Sequence, residues 1–185
     1  MTADNELLQP FVTFSAYVTA FSEFDLLGTG QAEAFLTTVQ DQAGKETLRG
    51  LLEACGPLGG KPEDPAAWSS RMERDVFGRE DLGPLAKSII KLWYAGIWYE
   101  PEGTRADAAK RGVPRPRSPG QRPDGEQDTP AKDDREAPFV VSSAAYAEGL
   151  LWRAIGAHPA GAKAPGYGSW ALPPTIEDCP GGGVQ

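Results

Sequence analysis

The sequence predicts a mainly α-helical fold: a compact bundle of about five to six helices, with a long irregular insertion and an extended C-terminal arm rich in glycine and proline. Two observations predict it. Apolar residues recur three and four positions apart through most of the first hundred residues, which is the period of one helix face. Two later segments are dominated by proline, glycine and charge and lack the apolar residues of a core. The length of 185 residues suits one domain.

The stretch at residues 88–100 organises the rest, because it holds two of the five tryptophans and two of the five tyrosines. A helical pattern places one group of residues on a single face, namely Leu85, Ile89, Leu92, Trp93 and Gly96. A second group crowds the neighbouring face, namely Ile90, Tyr94, Ile97 and Trp98. Such a helix is apolar over more of its circumference than one core requires. It is therefore either central to its own domain or covered on its second face by another protein.

The first two helices follow from the N-terminal pattern. A helical stripe after Pro10 predicts the first helix, with apolar positions Phe11, Phe14, Val18 and Phe21. Residues 25–30 read as a turn with Thr29 as N-cap of the second helix, whose apolar positions are Ala34, Phe35, Leu36 and Val39. Gly28 and Gly30 do not form a dinucleotide-binding motif, because no strand precedes them and no third glycine follows at the required place.

Three more helices are predicted before residue 101. Residues 45–55 form a third helix with Leu48, Leu51 and Leu52 at the usual spacing, ended by the glycine and proline of residues 56–60. A fourth begins at Pro65, with Asp64 as N-cap, and runs past Trp68 and Met72 towards Val76 and Phe77. Pro84 then opens the organising helix.

The composition divides the chain into four parts within one domain. Residues 1–100 are the helical core. Residues 101–136 contain six prolines and sixteen charged residues and are predicted to be a flexible insertion. Its basic first half can bind phosphates, but a solvated loop with balanced charge is the favoured interpretation. Residues 137–157 form a short extended segment and the last core helix, and residues 158–185 form the arm.

The last helix is predicted to begin at Ser142 or Ser143 and to run to about residue 157, with apolar positions Leu150, Leu151, Trp152 and Ile155. The arm that follows carries Tyr167, Trp170 and Leu172 among glycines and prolines. Large apolar side chains in such a segment indicate that it lies on a surface, either its own or that of a partner.

Charge and cysteine content limit the possible functions. A formal net charge of -8 argues against non-specific binding to nucleic acid or anionic lipid. No apolar run is long enough to span a bilayer, and the N-terminus lacks the pattern of a signal peptide. Cys55 and Cys179 match no metal spacing, and they can pair, stay free or take separate roles. Cys179, in the Gly/Pro-rich tail, is available for a bond to another molecule in an oxidising compartment.

No catalytic, cofactor-binding or metal site is predicted in this chain. It has one histidine, His158, next to a helix end, where an imidazole more often satisfies local backbone groups than takes part in a reaction. It has no nucleophile elbow, phosphate-binding loop, CxxC pair or histidine-rich motif. Independent catalysis is therefore not expected.

Two segments resemble a known family. Residues 87–98, KSIIKLWYAGIW, and residues 146–170, YAEGLLWRAIGAHPAGAKAPGYGSW, are similar to the small subunit of bacterial membrane-bound, FAD-dependent sugar and polyol dehydrogenases. Sorbitol, fructose and glucose dehydrogenase complexes belong to this group. Both motifs are long and unusual, and with the helical N-terminal part the resemblance covers most of the chain outside residues 101–136.

The resemblance implies a three-part complex on the periplasmic face of the inner membrane. A large catalytic subunit carries FAD and an iron–sulfur cluster, and a multihaem cytochrome c passes electrons onward. The small subunit has no redox centre and assists maturation of the large subunit and its export, commonly through a twin-arginine signal. This sequence lacks that signal, and its insertion is longer than expected for the family. The resemblance also implies a disulfide from Cys179 to the large subunit.

The residue pattern and the resemblance together predict a partner interface at Trp93, Tyr94, Trp98, Trp152, His158, Tyr167 and Trp170. Trp93, Tyr94 and Trp98 are expected to be divided between the core and the interface. Two alternatives remain. The chain could be a stand-alone small-molecule-binding or electron-transfer domain, or a sugar dehydrogenase by itself, and either would show a bound chromophore in the purified chain.

Overall fold

The computed structural model describes residues 6–56, 65–101 and 138–163. The protein is mainly helical and forms a compact helical bundle, as predicted. Helices α1 to α4 span Leu8–Thr19, Glu23–Gly28, Ala32–Ala43 and Lys45–Ala54. Helices α5 to α8 span Pro65–Met72, Gly83–Ala95, Ser143–Ala147 and Leu150–Ala154, and a π-helical turn, Glu73–Phe77, continues α5. Strands β1, Ile97–Trp98, and β2, Phe139–Val140, pair antiparallel. Nearly all of the predicted insertion and most of the arm lie outside the described residues.

Helix α6 is central to the core. Leu85, Ile89 and Leu92 are fully buried, and Trp93 is 1% exposed. The Trp93 ring lies 4.9 Å edge-on from Phe35 of α3 and 6.1 Å from Phe11 of α1. The predicted core face of the organising helix is therefore confirmed. Aromatic rings of this size bury roughly 150–250 Å² each, so Trp93 contributes a large share of the apolar burial that holds α1, α3 and α6 together.

The prediction that this helix continues through residue 98 is wrong. Helix α6 ends at Ala95, and Gly96 adopts a left-handed conformation with φ 68°, donating its N–H to Leu92 O at 2.8 Å. Ile97 and Trp98 then pair with Val140 and Phe139 as a short ladder. The reversal at Gly96 turns the Trp98 side chain into the core, where it is fully buried. Two of the residues assigned to a second apolar helix face, Ile97 and Trp98, therefore belong to a short strand instead.

The first helix agrees with the prediction. Phe11 and Phe14 are buried, and Val18 and Phe21 pack against the core, although Phe21 lies just beyond the helix. Helix α1 begins two residues before Pro10, which therefore sits in the first turn, where a missing N–H removes no intrahelical hydrogen bond. Ala20 ends the helix at φ 61°.

Residues 25–30 are not a simple turn. Ser22 caps α2 through a reciprocal capping box with Asp25, and Leu26 is fully buried. Thr29 follows this helix: its Oγ1 donates to Leu26 O at 2.7 Å and accepts from Gln31 N at 3.1 Å. The predicted role of Thr29 as N-cap of the next helix is therefore wrong, since Gln31 occupies that position.

The next three helices agree with the predicted spacing. Phe35, Leu36 and Val39 of α3 are buried, although Ala34 is exposed. Leu48, Leu51 and Leu52 of α4 are fully buried, and Cys55 follows the helix. Helix α5 begins at Pro65 as expected, and the buried side chains of Met72 and Val76 connect it to the π-helical turn. The predicted cap Asp64 lies outside the described residues.

The last predicted helix is two short helices. The Ser142 hydroxyl caps α7 by accepting from Ala145 N at 2.9 Å, as expected. Gly149, with an extended backbone, separates α7 from α8, and a Cβ at this position would lie 2.7 Å from Tyr94 O of α6. Among the predicted apolar positions, Leu150 is buried, Trp152 is half-buried, and Leu151 and Ile155 are exposed. The prediction of one core-facing helix is therefore wrong.

We expect Gly96→Ala to destabilise the protein by about 2 kcal/mol or more, since left-handed φ costs a non-glycine residue about 1–2 kcal/mol before any clash. A Cβ at residue 96 would also lie 2.4 Å from Ala145 O. Urea unfolding measures the change. The matched control is Gly50→Ala in α4, where a Cβ meets nothing within 4 Å and where we expect a gain of about 0.5–1 kcal/mol. Equal midpoints for the two variants would contradict this account.

Candidate partner surface

The structure places Trp93 and Trp98 in the core, so neither is available to a partner. Trp93 is 1% exposed and Trp98 is fully buried. The Trp93 Nε1 is buried and finds no hydrogen-bond acceptor among the described residues, while Trp98 Nε1 lies 3.5 Å from Glu100 Oε2. Trp93, Tyr94 and Trp98 were predicted to divide between the core and the interface, and of these three residues the two tryptophans lie in the core of this chain.

Tyr94 is half-buried and already has internal partners. Its hydroxyl donates to Thr19 O at 2.9 Å, which joins α6 to the end of α1. The centres of its ring and the Phe21 ring lie 6.1 Å apart in an edge-to-face arrangement. Only part of the ring remains accessible, so Tyr94 can border an interface but cannot insert into a partner.

Trp152 and His158 are also half-buried. Trp152 Nε1 donates to Tyr146 O at 2.8 Å, and its ring meets Tyr146 edge-on at 5.4 Å. His158 Nδ1 is buried without a hydrogen-bond partner among the described residues. The other predicted interface positions, Tyr167 and Trp170, and the predicted disulfide position Cys179 lie outside the described residues.

In the described part of the chain, four large apolar side chains are exposed that were not predicted as interface residues. Phe24 and Leu27 of α2 are 85% and 49% exposed, and we call them the α2 pair. Leu151 of α8 and Ile155, which directly follows that helix, are 38% and 60% exposed, and we call them the α8 pair. The members of each pair are three or four residues apart, so each pair lies on one side of its helix. Large apolar side chains grouped in this way mark interaction sites more often than isolated ones do.

An ion pair joins the two helices that carry these pairs. Arg153 Nη2 lies 2.7 Å from Asp25 Oδ1, and the guanidinium lies 5.7 Å from the centre of the Phe21 ring. The Ser22 hydroxyl donates to Asp25 Oδ2 at 2.5 Å. The hydrogen bond from Ser22 and then that from Arg153 hold the pKa of Asp25 below its ordinary value. Asp25 is therefore ionised at neutral pH, and it pairs with Arg153 at the surface between α2 and α8.

The opposite flank of α2 is tied to α1. Glu23 Oε1 accepts from Thr13 Oγ1 at 2.7 Å, and its Oε2 accepts from Gln9 Nε2 at 2.8 Å. Between these ties, Leu26 inserts into the core. Hydrogen bonds to α1, the ion pair to Arg153 and the buried Leu26 therefore hold α2 in place. A helix of six residues has little stability alone.

The surroundings of the Cys55 thiol give it low reactivity. Its Sγ donates to Leu51 O at 3.1 Å, and the side chain is half-buried. Burial raises the pKa of the Cys55 thiol to about 12, against the opposing charge of Arg71. The thiolate is the nucleophilic and metal-binding form, so Cys55 is suited to a structural role at neutral pH.

Within residues 6–56, 65–101 and 138–163, no group of three histidine, cysteine, aspartate or glutamate side chains is placed to hold a metal ion. None of the helices in these ranges is long and apolar enough to cross a bilayer. Comparison of the chain with protein-family models, with curated proteins and with solved structures found no match.

We expect Tyr94→Phe to lower the free energy of unfolding by about 1 kcal/mol, the usual net value of one hydrogen bond. The reason is that Thr19 O loses the donor that joins α1 to α6. Urea denaturation measures the change. The matched control is Tyr99→Phe, because Tyr99 presents its ring face to Lys91 at 5.1 Å and that contact survives the substitution. A loss at residue 99 as large as that at residue 94 would refute the assignment.

Alkylation of Cys55 at pH 8 should be about 100-fold or more slower in the folded chain than in the urea-unfolded chain. A thiol pKa near 12 leaves far less thiolate than the ordinary value does. The experiment uses the Cys179→Ser variant so that Cys55 is the only thiol, and mass spectrometry follows the reaction. A folded-state rate within tenfold of the unfolded one would show that the thiol is neither buried nor neutral.

Proposed function

We propose that this chain is the non-catalytic small subunit of an FAD-dependent sugar or polyol dehydrogenase. In this proposal it binds and stabilises a large catalytic subunit that carries FAD and an iron–sulfur cluster. It assists maturation of that subunit and its twin-arginine export, and a multihaem cytochrome c completes the complex at the periplasmic face of the inner membrane. The chain itself supplies no cofactor and no catalytic group.

The observation that carries the proposal is the exposure of the α2 and α8 pairs on helices that the fold holds in place. A six-residue helix with a capping box, two flanking ties and one buried leucine places an almost fully exposed phenylalanine in water. Burying one large apolar side chain contributes about 1.5–3 kcal/mol, and a permanent partner can provide that burial. Stable interfaces are enriched in aromatic residues of this kind.

The packing of the two segments that resemble the family also supports the proposal. Gly96 of the first segment packs closely against Ala145 O, and Gly149 of the second packs closely against Tyr94 O. Neither glycine has room for a Cβ. Gly96 and Gly149 are therefore required where the two segments approach each other. Motif positions that specify backbone packing suit a binding subunit.

Co-expression with the FAD-binding large subunit from the same genome tests the proposal. We expect soluble, flavin-loaded large subunit only when this chain is present, and we expect the two proteins to co-purify. Non-reducing electrophoresis should then show a mixed disulfide that Cys179→Ser removes and Cys55→Ser leaves in place. Equal flavin loading without this chain, together with separate elution of the two proteins, would contradict the proposal. A flavin or haem spectrum from this chain alone would favour the stand-alone alternatives.

Trp170→Ala should weaken association with the large subunit by about 30-fold, which corresponds to the roughly 2 kcal/mol typical of an aromatic anchor. Isothermal titration of the purified subunits measures the affinity. Leu172→Ala serves as a control within the same segment and should have a smaller effect, since an aliphatic side chain makes a weaker anchor than an indole. An unchanged affinity for Trp170→Ala would remove this segment from the proposed interface.

A further inference from the structure

Phe24 is the most exposed large apolar side chain in the described part of the chain, at 85%. Its neighbour on the same side of α2, Leu27, is 49% exposed. A phenylalanine in water forgoes most of the apolar burial that its ring can contribute. Because Leu26, two residues further on, is fully buried, α2 packs with Phe24 directed away from the core.

The fold restrains the helix on both sides of Phe24. The residue before it, Glu23, is hydrogen-bonded to Thr13 and Gln9 of α1. The residue after it, Asp25, is paired with Arg153 of α8 and with the capping hydroxyl of Ser22. A side chain presented by a restrained backbone loses little conformational freedom on binding, which is the property of an effective anchor residue.

The surroundings of Phe24 are acidic. The Glu23 carboxylate accepts hydrogen bonds from two neutral groups, and among the described residues no cation is paired with it. Asp25 is compensated by Arg153. The local formal charge is therefore negative, in the same direction as the net charge of -8 on the whole chain. A partner that covers this site meets a phenyl ring with negative charge beside it, and complementary interfaces place positive charge opposite.

We propose that Phe24 is the anchor of this chain: it inserts into an apolar pocket of the large subunit, and lysine or arginine side chains at the rim of that pocket face Glu23. Leu27 packs beside the ring at the pocket edge. This inference rests on the proposed function, since it names the point of contact with the same partner. It differs from the sequence-based interface, which did not include α2.

The test compares full-length Phe24→Ser with the wild-type chain for association with the purified large subunit. We expect the affinity of Phe24→Ser to be lower by about 30-fold or more, as for an aromatic hot spot. Phe24→Leu should retain most of the affinity, because it keeps an apolar side chain. Thermal unfolding of both variants should match the wild type, since an 85% exposed ring makes few contacts in the free chain.

The outcomes separate this inference from the proposed function. If the wild type binds the large subunit and Phe24→Ser binds equally well, the anchor is wrong while the proposed function stands. If the wild type does not bind, the proposed function fails and the anchor fails with it. The charge argument has its own measurement: the association rate of the wild type should fall as salt rises from about 0.05 to about 0.5 M, because salt screens the attraction. A constant association rate would contradict the proposal of basic side chains at the rim of the pocket.

Discussion

The close contact between the end of α6 and the segment after β2 is the constraint on which the other features depend. A Cβ at Gly96 would overlap Ala145 O, and one at Gly149 would overlap Tyr94 O, so two glycines allow two backbones to approach. The β1–β2 ladder lies beside this contact and joins residues more than forty positions apart in the chain. Closing so long a loop costs conformational entropy, which the buried Trp98, Phe139 and Leu150 side chains offset.

The same contact explains why apolar side chains remain outside. The last helical region is divided at Gly149, where the backbone approaches Tyr94 O, and α8 packs on α6 through the buried Leu150. One turn and a half of helix can bury only one side, which leaves Leu151 and Ile155 in solvent. Helix α2, on the other side of the Asp25–Arg153 ion pair, has the same limitation: Leu26 is buried and Phe24 is exposed.

The sequence predicted the helices that bury a continuous face, and it failed where one residue decides the geometry. The spacing of Leu48, Leu51 and Leu52 identifies α4 because each turn contributes to the core. The end of α6 was missed because apolar residues continue across Gly96, and periodicity cannot separate a two-residue strand from another helical turn. Trp98 was therefore predicted at an interface. The capping box Ser22-x-x-Asp25 was a visible signal for α2 and for the exposure of Phe24 that follows from it.

We propose that an FAD-carrying large subunit covers α2 and α8 of this chain. Hydrogen–deuterium exchange of the chain, alone and in complex with the FAD-binding large subunit, tests it most directly. Exchange at residues 23–28 and 150–155 is predicted to slow in the complex, because burial excludes solvent from those amides, while α4 remains as protected as in the free chain. A stable complex in which α2 and α8 exchange as fast as in the free chain would contradict the account.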